Sequence, residues 1–187
     1  MLFLGTTRSG KTTLIKAIYA EHFEDMITVL HTCSPSAKTY TDLKKKCILA
    51  PAFCREAIEE AIRINQRTEN KYNFMHIIDD CVSSKNDSTM IKLLTIGRNS
   101  MQNTLISGQE LSILNAIGRS NINFVLLGKL GSSMAVEKCV RQYLQAYFPS
   151  DLSMPDKIKL YTQLTSDYNW ICLDMVNNEA YMIRLNK

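Results

Sequence analysis

Gly5-Thr6-Thr7-Arg8-Ser9-Gly10-Lys11-Thr12 is a complete phosphate-binding octapeptide, Gly-x4-Gly-Lys-Thr, reached four residues after Met1. The apolar Met1-Leu2-Phe3-Leu4 before it predicts a short strand, and Thr12 to Ile18 after it predicts a helix from Gly10 to about Phe23. That strand–loop–helix context turns the pattern into a mechanism. Glycines at 5 and 10 let the backbone close around a phosphate, its N–H groups inward at the positive end of a helix. Lys11 suits the outer phosphates and the Thr12 hydroxyl suits Mg²⁺. Gly5, Thr6, Thr7, Arg8, Ser9, Gly10, Lys11, Thr12 and Thr13 are therefore the expected ATP-binding residues. An ordinary glycine turn before a helix is the competing account, and the flanking residues disfavour it.

A chain of 187 residues is expected to form one domain, 1–187, with a real core. The balance of 45% hydrophobic and 21% charged residues is globular, and a net charge of +4 permits a polyanionic partner without requiring one. The dense basic run Lys44-Lys45-Lys46 reads as a solvated loop or helix end in preference to a nucleic-acid patch. Six cysteines include no Cys-x-x-Cys pair, which removes zinc spacing and favours buried, reduced thiols in a cytosolic setting. No stretch approaches 18 consecutive apolar residues, so no transmembrane segment is expected and the chain reads as soluble and intracellular.

Strand and helix signals alternate throughout, which predicts a three-layer α/β fold with a mostly parallel central sheet. Further strands are expected at 26–31, 47–49, 74–78, 104–107 and 122–127, with a loop at Cys33-Ser34-Pro35-Ser36. Helices are expected at 52–67, 88–97, 110–118, 136–147 and 155–164. The helix at 136–147 follows from Val136, Val140, Tyr143, Leu144 and Tyr147 at i, i+4, i+7, i+8 and i+11. Two closing strands, 170–175 and 180–185, flank Asn177-Asn178, residues that tolerate a hairpin's positive φ.

A phosphate loop needs a second, metal-directed carboxylate at the end of a neighbouring apolar strand. Phe74-Met75-His76-Ile77-Ile78-Asp79-Asp80 supplies it: Asp79 acts on Mg²⁺ through its water shell, and Asp80 stands where a base polarises the attacking water. Taken alone, two acids opening a solvated loop is the competing reading. Gln109, beyond the strand Thr104-Leu105-Ile106-Ser107, is a candidate sensor of the γ-phosphate or a polar helix cap before Leu111. Arg98 and Arg119 sit at predicted helix ends, each closely followed by asparagine (Asn99, Asn121). Either could neutralise phosphoryl charge across a subunit boundary, or be an ordinary surface arginine.

The order of these motifs resembles the DNA-packaging ATPases of large eukaryotic double-stranded DNA viruses and their smaller relatives, the poxvirus-type branch of the FtsK–HerA superfamily. The segments that carry the resemblance are Gly5–Thr12, Ile77-Ile78-Asp79-Asp80, Gly97-Arg98-Asn99 leading to Ile106-Ser107-Gly108-Gln109, and Arg119-Ser120-Asn121-Ile122-Asn123. It covers roughly residues 1–130. It implies a P-loop NTPase of RecA-like (ASCE) type that uses ATP and Mg²⁺ to move double-stranded DNA into a capsid. It implies a homo-oligomeric ring of five or six subunits, a capsid or portal partner, and a place in the virion or in the viral factory of the host cytoplasm. Residue by residue it implies Lys11 and Thr12 for nucleotide and metal, Asp79 for the metal, Asp80 as base, Gln109 as sensor, and Arg98 or Arg119 acting in trans. Thr6-Thr7-Arg8-Ser9 is bulkier than usual inside such a loop, and the start at Met1 reads as a minimal member or a trimmed one.

A ring also has a physical argument. A neighbour's arginine completing the site requires a head-to-tail interface, which closes into a ring if the rotation permits. Two other classes stay open: a small nucleoside or nucleotide kinase, whose clustered lid arginines are missing here, and a nucleotide-gated scaffold. Another DNA pump of the same superfamily is the third alternative.

Overall fold

The computed structural model describes residues 1–33, 38–43, 47–81 and 84–185. Most of the loop expected at 33–36 and the whole basic run Lys44-Lys45-Lys46 lie outside the described residues. Eight strands follow along the chain: β1 (Leu2–Leu4), β2 (Ile27–Thr32), β3 (Cys47–Pro51), β4 (Phe74–Asp79), β5 (Gln102–Gly108), β6 (Phe124–Leu127), β7 (Asn169–Asp174) and β8 (Glu179–Arg184). The α-helices are α1 (Lys11–His22), α2 (Arg55–Arg67), α3 (Ser88–Ile96), α4 (Ala116–Ser120), α5 (Ser133–Cys139) and α6 (Met154–Leu164). They gather into two compact units interleaved in sequence. One holds Met1–Lys11, Gly108–Leu111 and the residues from Asn123 onward; the other holds Thr12–Ser107 and Ser112–Ile122.

In the second unit the strands run β3-β2-β4-β5, all parallel. Every residue of β4 is buried, as a strand covered on both faces must be. Its apolar run is interrupted by His76 and Asp79, polar groups that burial obliges to find partners. The register aligns Thr32 with Asp79 and Asp79 with Ser107, so these three residues share the carboxyl end of the sheet. Helix α2 buries Ile58, Ala61 and Ile62 and leaves Glu56, Glu59 and Glu60 outside. It starts at Arg55, later than the periodicity predicts, because Ala52 takes a left-handed φ of 60° and donates its N–H to the Thr32 carbonyl. Asp87 caps α3 by accepting from the Thr89 and Met90 amides, and Arg55 holds its other oxygen at 2.7 Å.

One expected helix is broken. Residues 110–118 form a short 3-10 turn, Leu111–Ile113, after which Asn115 caps a new helix by accepting from the Gly118 amide at 2.8 Å. Asparagine competes well as a cap and poorly as an interior helical residue, so the continuous helix loses.

In the first unit β1 and β6 are parallel, while β7 and β8 close it in antiparallel order. The hairpin between β7 and β8 turns on Asp174, whose carboxylate accepts from the Val176 and Asn177 amides, and on Asn178 at φ 56°. Leu2, Phe3, Leu4, Val125, Trp170 and Tyr161 form its core. The helix expected over 136–147 is interrupted: α5 ends at Cys139 and a wider π turn carries Val140–Leu144. Pro155 lies in the first turn of α6, behind the Ser153 cap. All six cysteines are reduced; Cys81, Cys139 and Cys172 are buried, whereas Cys33 is exposed.

Candidate active site

The loop between β1 and α1 is tied down by its own unit. Gly5 donates to the Gly108 carbonyl (3.1 Å), Thr6 to the Lys129 carbonyl (2.8 Å), and Ser9 back to Thr6 (3.2 Å). Gly10 takes φ 92°, where a Cβ would come within 2.9 Å of Leu185 Cδ1, and a Cβ on Gly5 would come within 2.5 Å of Ser9 Oγ. Both glycines are therefore required by conformation or space. Lys11 is buried, and its Nζ donates to the carbonyls of Gly5 (2.9 Å) and Thr6 (3.1 Å), arching the cation over its own loop. Ser9 Oγ is buried without a hydrogen-bond partner among the described residues, as fits a loop shaped for a ligand bearing oxygens. Thr7, Arg8 and Thr13 are exposed, and Arg8 holds a left-handed φ of 65°.

Asp79, the carboxylate expected to act on a metal, belongs to the other unit, at the end of β4. Asp79 is 2% exposed and collects three hydroxyl donors. Its Oδ2 accepts from Thr12 Oγ1 at 3.0 Å, across 67 residues of sequence, and from the Tyr40 phenol at 2.8 Å. Its Oδ1 accepts from the Ser107 hydroxyl. Ser107 Oγ in turn accepts the Asp80 N–H at 3.1 Å, so one serine orients both aspartates. Asp80 is exposed and adopts φ 49°, a left-handed turn that ends the strand. Burial, reinforced by the Asp79 charge, pushes the Tyr40 phenol well above its ordinary range and keeps it a donor.

Hard oxygen donors suit Mg²⁺, which binds through one or two protein oxygens plus substrate phosphates. The Thr12 hydroxyl, its single proton committed to Asp79, keeps its lone pairs for such a cation.

No family model matches this sequence, and no curated protein matches it. Solved structures do. The genome-packaging NTPase B204 from Sulfolobus turreted icosahedral virus 2, in complex with ATP-gammaS, superimposes with a TM-score of 0.67 at 15% identity, covering 98% of this chain and 95% of that one. Its sulfate complex gives 0.70 at 14%, covering 100% and 96%. The pCW3 conjugation coupling protein TcpA with ATPγS gives 0.63 at 11%, covering 98% of this chain and 59% of that one. This chain shares their fold. The mostly parallel α/β architecture with a closing hairpin is that of P-loop NTPases, as the octapeptide predicts.

The remaining candidates are placed as follows. Gln109 lies in an exposed bend just after β5, and Ser107, two residues earlier, makes the contact with Asp79. Arg98 is exposed on a 3-10 turn, Gly97–Ser100, that precedes β5. Since Gln102 aligns with Phe74 and Ser107 with Asp79, this turn sits at the opposite end of the strands, roughly 17 Å from its own Asp79. That distance excludes a role in cis. Arg119, half-buried in α4, folds its guanidinium onto the Leu114 carbonyl of its own segment. Ser107 and Tyr40 are the residues that motif reasoning misses. Ser107 is detectable by strand parity once β4 and β5 are aligned, whereas nothing local marks Tyr40.

Proposed function

We propose that this chain hydrolyses ATP and uses the cycle to move double-stranded DNA, packaging a viral genome into a capsid. The observation that carries the reading is the hydrogen bond from Thr12 of the phosphate loop to Asp79 of β4, two distant segments joined as a hydrolytic P-loop site requires. The structural likeness to a genome-packaging NTPase along nearly the whole length of both chains supports it.

In this reading the amides of residues 5–13 cradle the phosphates, and Lys11 leaves its own carbonyls to neutralise the β- and γ-oxygens. Thr12, and Asp79 through the metal's water shell, would hold Mg²⁺, which when bound would offset charge on the outer phosphates. Asp80 takes a proton from a water whose oxygen bonds to the γ-phosphorus while the bond to the bridging oxygen breaks, leaving ADP and phosphate. Gln109 senses the γ-phosphate. Arg98 or Arg119 of a neighbouring copy neutralises the transferred phosphoryl group. Residues 1–187 work as one ATPase domain within a ring of five or six copies around DNA. The duplex is gripped through its phosphates, so binding falls steeply with salt and shows little sequence preference. A capsid or portal component anchors the ring in the virion or viral factory. Among the described residues no helix is long and apolar enough to cross a membrane.

The test is phosphate release with and without duplex DNA. Expected is a slow basal rate, stimulated several-fold by DNA and absent in Lys11→Ala. Transfer of phosphate to a nucleoside, indifferent to DNA, contradicts the reading in favour of a kinase; tight ATP binding without turnover contradicts it in favour of a scaffold. The likeness to TcpA supports a second reading, a non-viral DNA pump of the same mechanism. Co-purification with a capsid component separates the two.

A further inference from the structure

We infer that Tyr40 is a positioning residue for the metal side of this site: its phenol holds Asp79 Oδ2 so that Thr12 and Asp79 are paired before any cation arrives. The inference rests on the reading of Asp79 and Thr12 as the magnesium-binding pair.

Tyr40 has no exposed surface, and its hydroxyl donates to Asp79 Oδ2 at 2.8 Å, the oxygen that also accepts from Thr12 at 3.0 Å. The turn that carries it, Lys38–Tyr40, is closed by the Leu43 amide donating to the Tyr40 carbonyl at 3.0 Å. The same turn is gripped from α1. Lys16 Nζ donates to the Thr39 carbonyl at 3.1 Å and pairs with the Asp42 carboxylate at 2.8 Å, clasping Tyr40 on both sides in sequence. Lys16 stands four residues after Thr12, hence on the same face of the helix. One helical face thus reaches Asp79 twice, directly through Thr12 and indirectly through Lys16, the turn and Tyr40.

The chemistry gives this arrangement a purpose. Thr12 offers lone pairs to a cation when its one proton points away, and Asp79 is the acceptor that holds the proton there. A carboxylate free to rotate about χ2 spends part of its time out of Thr12's reach. With Ser107 on Oδ1 and Tyr40 on Oδ2, both oxygens are fixed, and the pair is preorganised in the way outer hydrogen bonds orient metal ligands. Packing alone needs no hydroxyl at this position. Phenylalanine fills the same space.

The experiment measures ATP affinity by calorimetry across a magnesium titration and in EDTA, for the unaltered chain, Tyr40→Phe and Lys16→Met. Tyr40→Phe is expected to raise the half-saturating magnesium concentration about tenfold, the scale of one hydrogen bond to a charged group. Affinity for ATP in EDTA should stay within about twofold of the unaltered chain. Lys16→Met, which leaves the phenol but loosens its turn, should shift the magnesium requirement in the same direction by less. An unchanged magnesium requirement in Tyr40→Phe overturns the inference. So does an equal loss of affinity with and without magnesium, because that marks a purely structural tyrosine. If the unaltered chain itself binds ATP no better with magnesium, the underlying reading of Asp79 has failed.

Discussion

At the carboxyl ends of β4 and β5, Asp79 gathers three hydroxyl donors onto one buried carboxylate. Elsewhere in the same sheet, His31 near the end of β2, His76 in the middle of β4 and Gln102 at the start of β5 hand hydrogen bonds along a line. The Cys54 amide donates to His31 Nδ1 (3.2 Å), which leaves the proton on Nε2 to go to His76 Nδ1 (3.2 Å). His76 Nε2 then donates to Gln102 Oε1 (2.9 Å), and Gln102 Nε2 ends the line on the Ser100 carbonyl (2.7 Å). Every nitrogen of that line is spent and both imidazoles are neutral; burial holds His31 at about 3, aided by the nearby His76, and His76 at about 4. Asp79, Tyr40 and Ser107 are as buried as the histidine line, and only Thr12 is half-buried. What differs is unspent valence: the histidine line is complete within the protein, whereas the Asp79 cluster is ionic and leaves Thr12 lone pairs for a ligand. A buried polar group marks a site when its chemistry is unfinished.

The largest effect expected from breaking this contrast is at the ligand-facing end. If the cation serves developing phosphate charge as proposed, Lys11→Ala should lower ATP turnover at least about 100-fold while the fold survives. Circular dichroism beside the rate assay checks both halves, and a variant retaining a tenth of the rate would exclude Lys11 from the chemistry.

Next comes Arg98, whose turn the closed cluster holds through Ser100, with Asn65 Nδ2 adding a second donor to that carbonyl at 2.8 Å. If the line exists to present Arg98 to another copy, Arg98→Ala spares ATP binding and removes turnover. Mixing it with Lys11→Ala subunits then restores part of the rate. Absence of rescue assigns the trans role elsewhere, with Arg119→Ala as the parallel case.

Ser107→Ala sharpens the comparison at intermediate size. It takes a donor from Asp79 and the Ser107 acceptor from the Asp80 amide, costing about 1–3 kcal/mol of stability by urea unfolding. Gln109→Ala, at an exposed bend, should leave the unfolding midpoint unchanged and act only on the rate. Equal unfolding midpoints for the two variants would contradict the assignment of Ser107 as the residue that orients both aspartates.

The last trial of the contrast lies in acid. Both histidines titrate lower in the folded chain than the ordinary 6.5, so below pH 6.5 the unfolded chain binds more protons than the folded one. Their contribution is fully present above pH 6.5 and drains away as pH falls towards 4 and then 3. Urea midpoints measured at pH 7, 5.5 and 4.5 should decline, and decline less in a His31→Gln, His76→Gln double variant. Parallel profiles in the two proteins would mean that the imidazoles are not held neutral.

Much of this architecture was legible in the sequence because its signals are local. The octapeptide, the apolar run of β4 and the Asn-rich hairpin each state their own conformation. Boundaries failed where other bonds outbid periodicity: Ala52 bonds to the distant Thr32, Asn115 caps a new helix within its own segment, and Val140–Leu144 widens into a π turn. The site was legible in part for the same reason. Motif spacing nominates Thr12 and Asp79, but which side chain of β5 faces Asp79 depends on strand register, and that favours Ser107 over Gln109 for the contact. Tyr40 reaches Asp79 across 39 residues through a turn held by Lys16, a relation no local pattern encodes.

The most direct trial of the account is calorimetric titration of ATP into the chain and into Asp79→Asn, each with magnesium and with EDTA. One nucleotide per chain is predicted, bound more tightly with magnesium, and that magnesium gain should vanish in Asp79→Asn while binding in EDTA persists. No heat on adding ATP, or the same magnesium gain in both proteins, would contradict the claim that Thr12 and Asp79 together serve a magnesium-bound nucleotide.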